Sequence, residues 1–239
     1  MKVAVILTGH MRCWKQVFPN FEERILRKYN PDIFMHTWQD EAYWDPHSQH
    51  GIVQGAPVID QQSIVQTYNP KGIVVENYND FKEDFALRAE QYSNFYHVPK
   101  NIISMLYKIG QGGLLMEDHM FKTGKQYDLV IRMRPDLVFN EPLPDFDPNV
   151  FYTLGYRNHM GQGTSDMIQV GNHFTISLFT KLLNHLPQIY KQAGLLCPHV
   201  ISENYIKSLA LPWKEFMINK TIMHTPLGEY KPKQMYMSS

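Results

Sequence analysis

Cysteine is nearly missing from this 239-residue chain, which has only Cys13 and Cys197. Two thiols so far apart in sequence form neither a disulfide framework nor a zinc ligand set, and this points to a reducing compartment. Charge of either sign in excess is missing too, with 23 Lys plus Arg against 23 Asp plus Glu. No net field exists to gather nucleic acid or an anionic membrane surface, so nucleic acid is not expected as a partner and any anion site must be local. No apolar run reaches the roughly 18–20 residues of a membrane-spanning helix, so no membrane span is expected. The opening run Val3-Ala-Val-Ile-Leu7 lacks the basic region and longer apolar segment of a signal peptide. The expectation is a cytoplasmic protein, in which the Asn219-Lys-Thr221 triplet carries no glycan.

The common phosphate motifs are absent as well. There is no Gly-x-x-x-x-Gly-Lys-Ser/Thr loop, and Gly161-Gln-Gly163 lacks the third glycine and helix start of a dinucleotide fingerprint. A P-loop kinase and a nicotinamide enzyme are both disfavoured. His47-Ser-Gln-His50 is not a His-Glu-x-x-His zinc helix and has no evident third ligand. No internal repeat and no low-complexity tract occurs.

What is present is an alternation of strand and helix patterns in a chain with 44% hydrophobic residues, enough for one core and one domain over 1–239. Lys2 to Leu7 is a continuous apolar run closed by Thr8-Gly9, the pattern of a strand covered on both faces. Val17, Phe18, Phe21, Ile25 and Leu26 fall at helical spacing through Tyr29, and Ile33 to Trp38 forms the next strand, completing a βαβ unit. Gln39 to Gly55 reads as a long loop and Gly72 to Tyr78 as a third strand. Asn79 to Pro99 reads as an irregular or helical excursion. Asn101 to Lys122 has helical spacing interrupted by Gly110, Gly112 and Gly113, so either the helix breaks there or something packs closely on its backbone. Strands follow at Tyr127 to Phe139, Val150 to Leu154 and Ser165 to Val170, with helices over His173 to Gln192 and Val200 to Leu209. The fold class expected is α/β, a Rossmann-type, mostly parallel sheet with helices on both faces, whose ligand sits at the carboxyl ends of the strands.

The segment Tyr127-Asp-Leu-Val-Ile-Arg-Met-Arg-Pro-Asp136 runs an apolar strand into two arginines and an aspartate. In an extended backbone Arg132, Arg134 and Asp136 share one face. Buried without partners such ions cost several kcal/mol each, so the strand is expected to end at a cleft holding an anion, a metal, or both. The competing reading is an internal Arg–Asp pair at a sheet edge. The first strand ends in Thr8-Gly9-His10-Met11-Arg12, giving a hydroxyl, a glycine that permits close backbone approach, and a cation able to bond phosphate oxygens in pairs. The second ends with His36 and Trp38, able to stack on a nucleobase or to pack as a buried aromatic pair. Together these groups describe a slot with an aromatic end, a cationic middle and an acidic tip, suited to a nucleoside diphosphate with a divalent metal.

Thr8-Gly9-His10-Met11-Arg12, Pro31-Asp-Ile-Phe-Met-His-Thr-Trp38 and Tyr127 to Asp136 together resemble the pattern of surface-polysaccharide and lipopolysaccharide-type glycosyltransferases of bacteria and viruses, which have the GT-A fold. The resemblance implies a nucleotide-binding half over 1–139, an acceptor-side half over 140–239, a nucleotide diphosphate sugar as donor and a carbohydrate as acceptor. It also implies a manganese or magnesium ion held by an Asp-x-Asp motif. Here the counterpart is Arg134-Pro-Asp136, which lacks the first carboxylate and leaves Asp136 as the metal ligand, with His224 placed to complete the shell. The arginines could neutralise the diphosphate themselves, which weakens the need for a metal. Glycosyl transfer needs cations beside the leaving diphosphate, a role for Arg12, Arg132, Arg134 and Lys108, and a base for the acceptor hydroxyl, for which Asp166 and Glu203 are the candidates. Both acids also have ordinary readings, Asp166 bonded to backbone amides and Glu203 as a first-turn helix acid. A nucleotidyltransferase of related fold is the alternative enzyme, although its longer glycine-rich opening is missing. A non-catalytic nucleotide- or carbohydrate-binding module is the alternative outside enzymes.

Overall fold

The computed structural model describes residues 1–41, 57–155 and 163–223. Its chain order begins with β1 (Val3–Gly9), α1 (Trp14–Phe21), a π turn (Glu22–Leu26), α2 (Arg27–Tyr29), β2 (Asp32–Trp38), α3 (Gln61–Tyr68) and β3 (Gly72–Glu76). After a 3-10 turn at Tyr78–Asp80 come α4 (Lys82–Ala89), α5 (Pro99–Thr123), β4 (Leu129–Met133), β5 (Leu137–Phe139), β6 (Phe151–Gly155) and β7 (Thr164–Gly171). The chain continues through α6 (His173–Thr180), α7 (Leu182–Ala193), α8 (Pro198–Ser208), β8 (Trp213–Phe216) and β9 (Lys220–Ile222).

Seven strands form one sheet in the order β3-β2-β1-β4-β7-β6-β8. β1 pairs in parallel with β2 and β4, β2 with β3, and β6 with β8, while β7 runs against both β4 and β6. The fold is therefore a single α/β domain around a mostly parallel sheet, with strands from both halves of the chain in it. The reversal of β7 matters for the site, because it brings the start of β7 to the edge where β1, β2 and β4 end.

Alternation along the strands divides the core. Val3, Val5, Leu7, Ile33, Met35, Ile131 and Met133 face α1 and α3, where they meet Trp14, Phe21 and Ile64. Ala4, Ile6, Phe34 and Val130 face α5 through α8. Burial on both faces explains why these strands read as continuous apolar runs.

Local signals set the helix ends. Asp60 caps α3 by accepting from the Ser63 N–H at 3.1 Å, and Asn172 caps α6 by accepting from Thr175 N–H at 3.0 Å. Pro99 and Pro198 occupy the first turns of α5 and α8. Gly124, at φ 68°, closes α5 in the left-handed region.

Several expectations change. Asn101 to Lys122 is one unbroken helix, and its glycines are contact points: a Cβ on Gly112 would stand 2.5 Å from Thr8 Cγ2, and one on Gly113 would stand 2.4 Å from Thr180 Oγ1. They let α5 lie directly on β1 and α6. The helix anticipated over His173 to Gln192 is two, divided between Thr180 and Leu182. α3 has no counterpart in the sequence reading, and Asn79 to Pro99 contains α4. The strand through Tyr127 to Phe139 stops at Met133, because Pro135 has no N–H for a further rung. Arg134 N–H donates the last bond, to the Met167 carbonyl at 3.0 Å, and Leu137–Phe139 pairs separately with Lys220–Ile222. Arg132, Arg134 and Asp136 thus do not lie along one continuous strand. Most of the anticipated loop at Gln39 to Gly55, with His47 and His50, falls outside the described residues, as do Gly161 and His224.

Candidate functional site at the β1, β4 and β7 edge

The end of β1 turns on Gly9, whose φ of +114° a side-chain-bearing residue rarely adopts. A Cβ there would meet nothing within 4 Å, so backbone conformation and not space calls for glycine. The turn sends His10 toward β2, where its Nδ1 lies 2.9 Å from the Asp40 carbonyl. Burial and the neighbouring Arg12 charge push the His10 pKa down to about 3, so the imidazole is neutral and donates from Nδ1.

Arg132 points to the α5 face and is 1% exposed. Its Nε and Nη2 donate to Thr8 Oγ1 at 3.0 and 2.7 Å, and Nη1 donates to the Asp166 carbonyl at 2.5 Å and to Gln169 Oε1 at 2.9 Å. Burial lowers its pKa, but these acceptors hold the guanidinium in its charged form. Arg132, anticipated at the diphosphate, is instead the buried tie joining β1, β4 and β7 beneath the site.

Above it, Arg12, Arg134 and Asp136 converge. Arg134 Nε and Nη2 grip the Asp136 carboxylate in a fork at 2.9 and 2.6 Å, and Arg12 Nη1 stands 3.6 Å from the same carboxylate. Burial opposes the Arg134 charge, but Asp136, with Asp166, more than offsets it and raises the pKa. Arg12 is shifted down, by burial first and by Arg134 as well, against the opposing pull of Asp136. Asp136 is 1% exposed, whereas the Arg134 side chain remains 23% exposed. Two guanidinium groups on one carboxylate leave the cluster with a net positive charge.

Across the edge, Asp166 is the third residue of β7 and is 7% exposed. Its Oδ1 lies 3.6 Å from His199 Nδ1, which itself lies 3.0 Å from the Thr164 carbonyl. His199 follows Pro198 at the start of α8, and that helix start was the only sequence signal for it. Glu203 sits in the middle of α8 and not in its first turn; Oε2 accepts from the Gly163 N–H at 2.7 Å and Oε1 pairs with Lys207 at 2.9 Å. The Gly163 bond ties α8 to the chain entering β7.

His36, Trp38 and Lys108 come together, but in the core. Lys108 Nζ donates to the Thr37 carbonyl and to Glu76 Oε2, both at 2.8 Å, and lies 3.4 Å from the centre of the Trp38 ring. Trp38 is 1% exposed and packs among Tyr78, Phe81, Phe85 and Tyr107, so its faces are taken by protein. Burial, with Lys108 nearby, lowers the His36 pKa to about 4 and keeps that ring neutral. Of the two readings for His36 and Trp38, the buried aromatic pair is the one that holds and the nucleobase platform is not, while Lys108, anticipated beside the diphosphate, is the internal cation of this cluster. Glu76, at the end of β3, completes this cluster and was missed because a single acid closing a strand has no distinctive spacing.

The arrangement around Asp136 does not suit a divalent ion. Both carboxylate oxygens already receive arginine N–H groups, and an incoming cation would meet two like charges. Among the described residues no three His, Cys, Asp or Glu side chains gather in a way that could hold a metal. Two grooves among the described residues lie away from this edge, one between α5 and the α6–α7 corner beside Tyr107, Leu114 and Thr180, the other beside Tyr92 and Leu186. No protein-family model matches the chain, and no curated protein resembles it significantly. No described helix is long and apolar enough to cross a membrane.

Proposed function

We propose that the protein is a glycosyltransferase that moves a sugar from a nucleotide diphosphate sugar to a carbohydrate acceptor. The observation that carries this reading is the meeting of Arg12 and Arg134 on Asp136 at the carboxyl ends of β1 and β4. Sheets of this type bind ligands at that edge, and a pair of guanidinium groups matches the charge and geometry of a pyrophosphate link. Arginine charge beside the leaving diphosphate lowers the barrier where water is excluded.

Asp166 is the better placed of the two acids to act as base for the acceptor hydroxyl. It starts from β7 on the same edge and adds to the field at Arg134, whereas both Glu203 oxygens are engaged by Gly163 and Lys207. The test is direct: incubation with a panel of uridine, guanosine, cytidine and thymidine diphosphate sugars, with nucleoside diphosphate release as the readout. Release with at least one donor, stimulated by added oligosaccharide, supports the reading; no thermal shift with any nucleoside diphosphate removes it. The closed Arg134–Asp136 pair favours one second reading, a module that binds nucleotide without turnover. That reading predicts a thermal shift without release.

A further inference from the structure

We propose that the edge site holds its diphosphate through arginine alone, and that Asp136 is a positioning residue for Arg12 and Arg134 and not a metal ligand. The inference rests on the transferase reading and adds to it the means by which the leaving group's charge is met. Three features of the cluster carry it.

The first is occupancy of the carboxylate. Asp136 accepts on one oxygen from Arg134 Nε and on the other from Arg134 Nη2, with Arg12 Nη1 beside that second oxygen. For a hard cation to reach it, at least one guanidinium must leave an acid that is 1% exposed. The second is donor supply. An arginine has five N–H donors, and the fork with Asp136 uses two of those on Arg134, which leaves three for an anion on a side chain still 23% exposed. The third is the sign of the charge. Arg12, Arg132 and Arg134 act here against Asp136 and Asp166, and that excess of cations attracts a diphosphate and repels a divalent metal. Asp136 holds the fork of Arg134 in one orientation and keeps Arg12 close to it, so little reorganisation is left for the ligand to impose.

This assignment and a metal-ligand role for Asp136 predict different metal dependence for one substitution. Asp136→Asn raises the cluster's net charge by one but leaves a single oxygen for the Arg134 fork, so pyrophosphate should still bind in EDTA, weakened by no more than about fivefold, and manganese should not alter that affinity. A metal ligand so altered would lose the ion and the anion with it. The experiment is calorimetric titration of the full chain with inorganic pyrophosphate in EDTA, then with manganese chloride replacing EDTA. Binding in EDTA, retained by Asp136→Asn and weakened about tenfold or more by Arg134→Lys, which keeps the charge but loses the fork, is the expected result. Should Asp136→Asn fail to fold, Arg134→Lys and Arg12→Gln in EDTA carry the test, and unchanged affinity in both overturns the proposal. Binding that requires manganese overturns it while leaving the transferase reading intact. Absence of binding in both conditions overturns the transferase reading as well.

Discussion

Thr8→Val removes one oxygen from the centre of the sheet and leaves the side-chain shape nearly unchanged. Thr8 Oγ1 accepts two N–H groups from Arg132, at 3.0 and 2.7 Å, and the two residues are 2% and 1% exposed. Water cannot take the lost oxygen's place without opening the contact between Thr8 and Gly112. A hydrogen bond to a charged group contributes about 1.5–3 kcal/mol, and a buried donor left unpaired costs a comparable amount. The two bonds share one acceptor and one guanidinium, so they do not add in full, and Nη1 keeps Asp166 and Gln169. The loss should be about 2–4 kcal/mol, read from urea unfolding as a lower midpoint at unchanged slope. Arg132→Met placed on top of Thr8→Val should restore at least about 1 kcal/mol, because it removes the stranded charge. A loss below about 0.5 kcal/mol for Thr8→Val would show that the guanidinium finds another partner and that the tie across β1, β4 and β7 is not as described.

The α5 glycines, the buried lysine and the candidate base each give a further expectation. Gly112→Ala should destabilise by about 1–3 kcal/mol in the same urea assay despite a helix-propensity gain of about 1 kcal/mol, since its Cβ would sit 2.5 Å from Thr8 Cγ2 and 2.8 Å from Ile6 Cγ2. Burial lowers Lys108 to about 8 against an ordinary 10.5, so between those values the unfolded chain binds a proton that the folded one does not. The cost of its charge is full below pH 8 and is relieved as pH rises, giving about 1–2 kcal/mol of added stability from pH 8 to 9.5. That rise should vanish in Lys108→Met, and an unaltered slope in the variant would contradict the assignment. Asp166→Asn should cut sugar transfer by about 10²–10⁴-fold while nucleoside diphosphate affinity holds, and Glu203→Gln should cost less than about tenfold; the reverse ranking in steady-state assays would move the base to α8.

The sheet was readable because parallel strands covered on both faces leave an unmistakable apolar run, as in Val3 to Leu7 and Ile33 to Met35. Gly112 and Gly113 were also visible as anomalies, although only the packing of α5 on β1 and α6 shows that they mark close approach and not a helix break. The site was legible in part. Arg12, Arg134 and Asp136 lie at strand ends that come together, and sequence placed them there through the βα pattern. What sequence could not supply was direction: β4 ends at Met133, two residues before Pro135, so simple alternation fails beyond that point, and Arg132 turns inward to Thr8 and Gln169. For the same reason Trp38 and Lys108 were assigned to a ligand. An aromatic or a cation at a strand end looks alike in sequence whether it faces solvent or, as here, a helix carrying its partner. His199 acquires its place beside Asp166 from the reversal of β7, a long-range pairing with no local signature.

The most direct measurement is a crystal structure of the chain with the nucleoside diphosphate that gives the largest thermal shift among uridine, guanosine, cytidine and thymidine diphosphates. The account predicts phosphate oxygens at about 3 Å from both Arg12 and Arg134, with Asp136 still between the two guanidinium groups. A nucleotide lodged in the groove beside Tyr107 and Thr180, with the Arg134–Asp136 fork untouched, would contradict it.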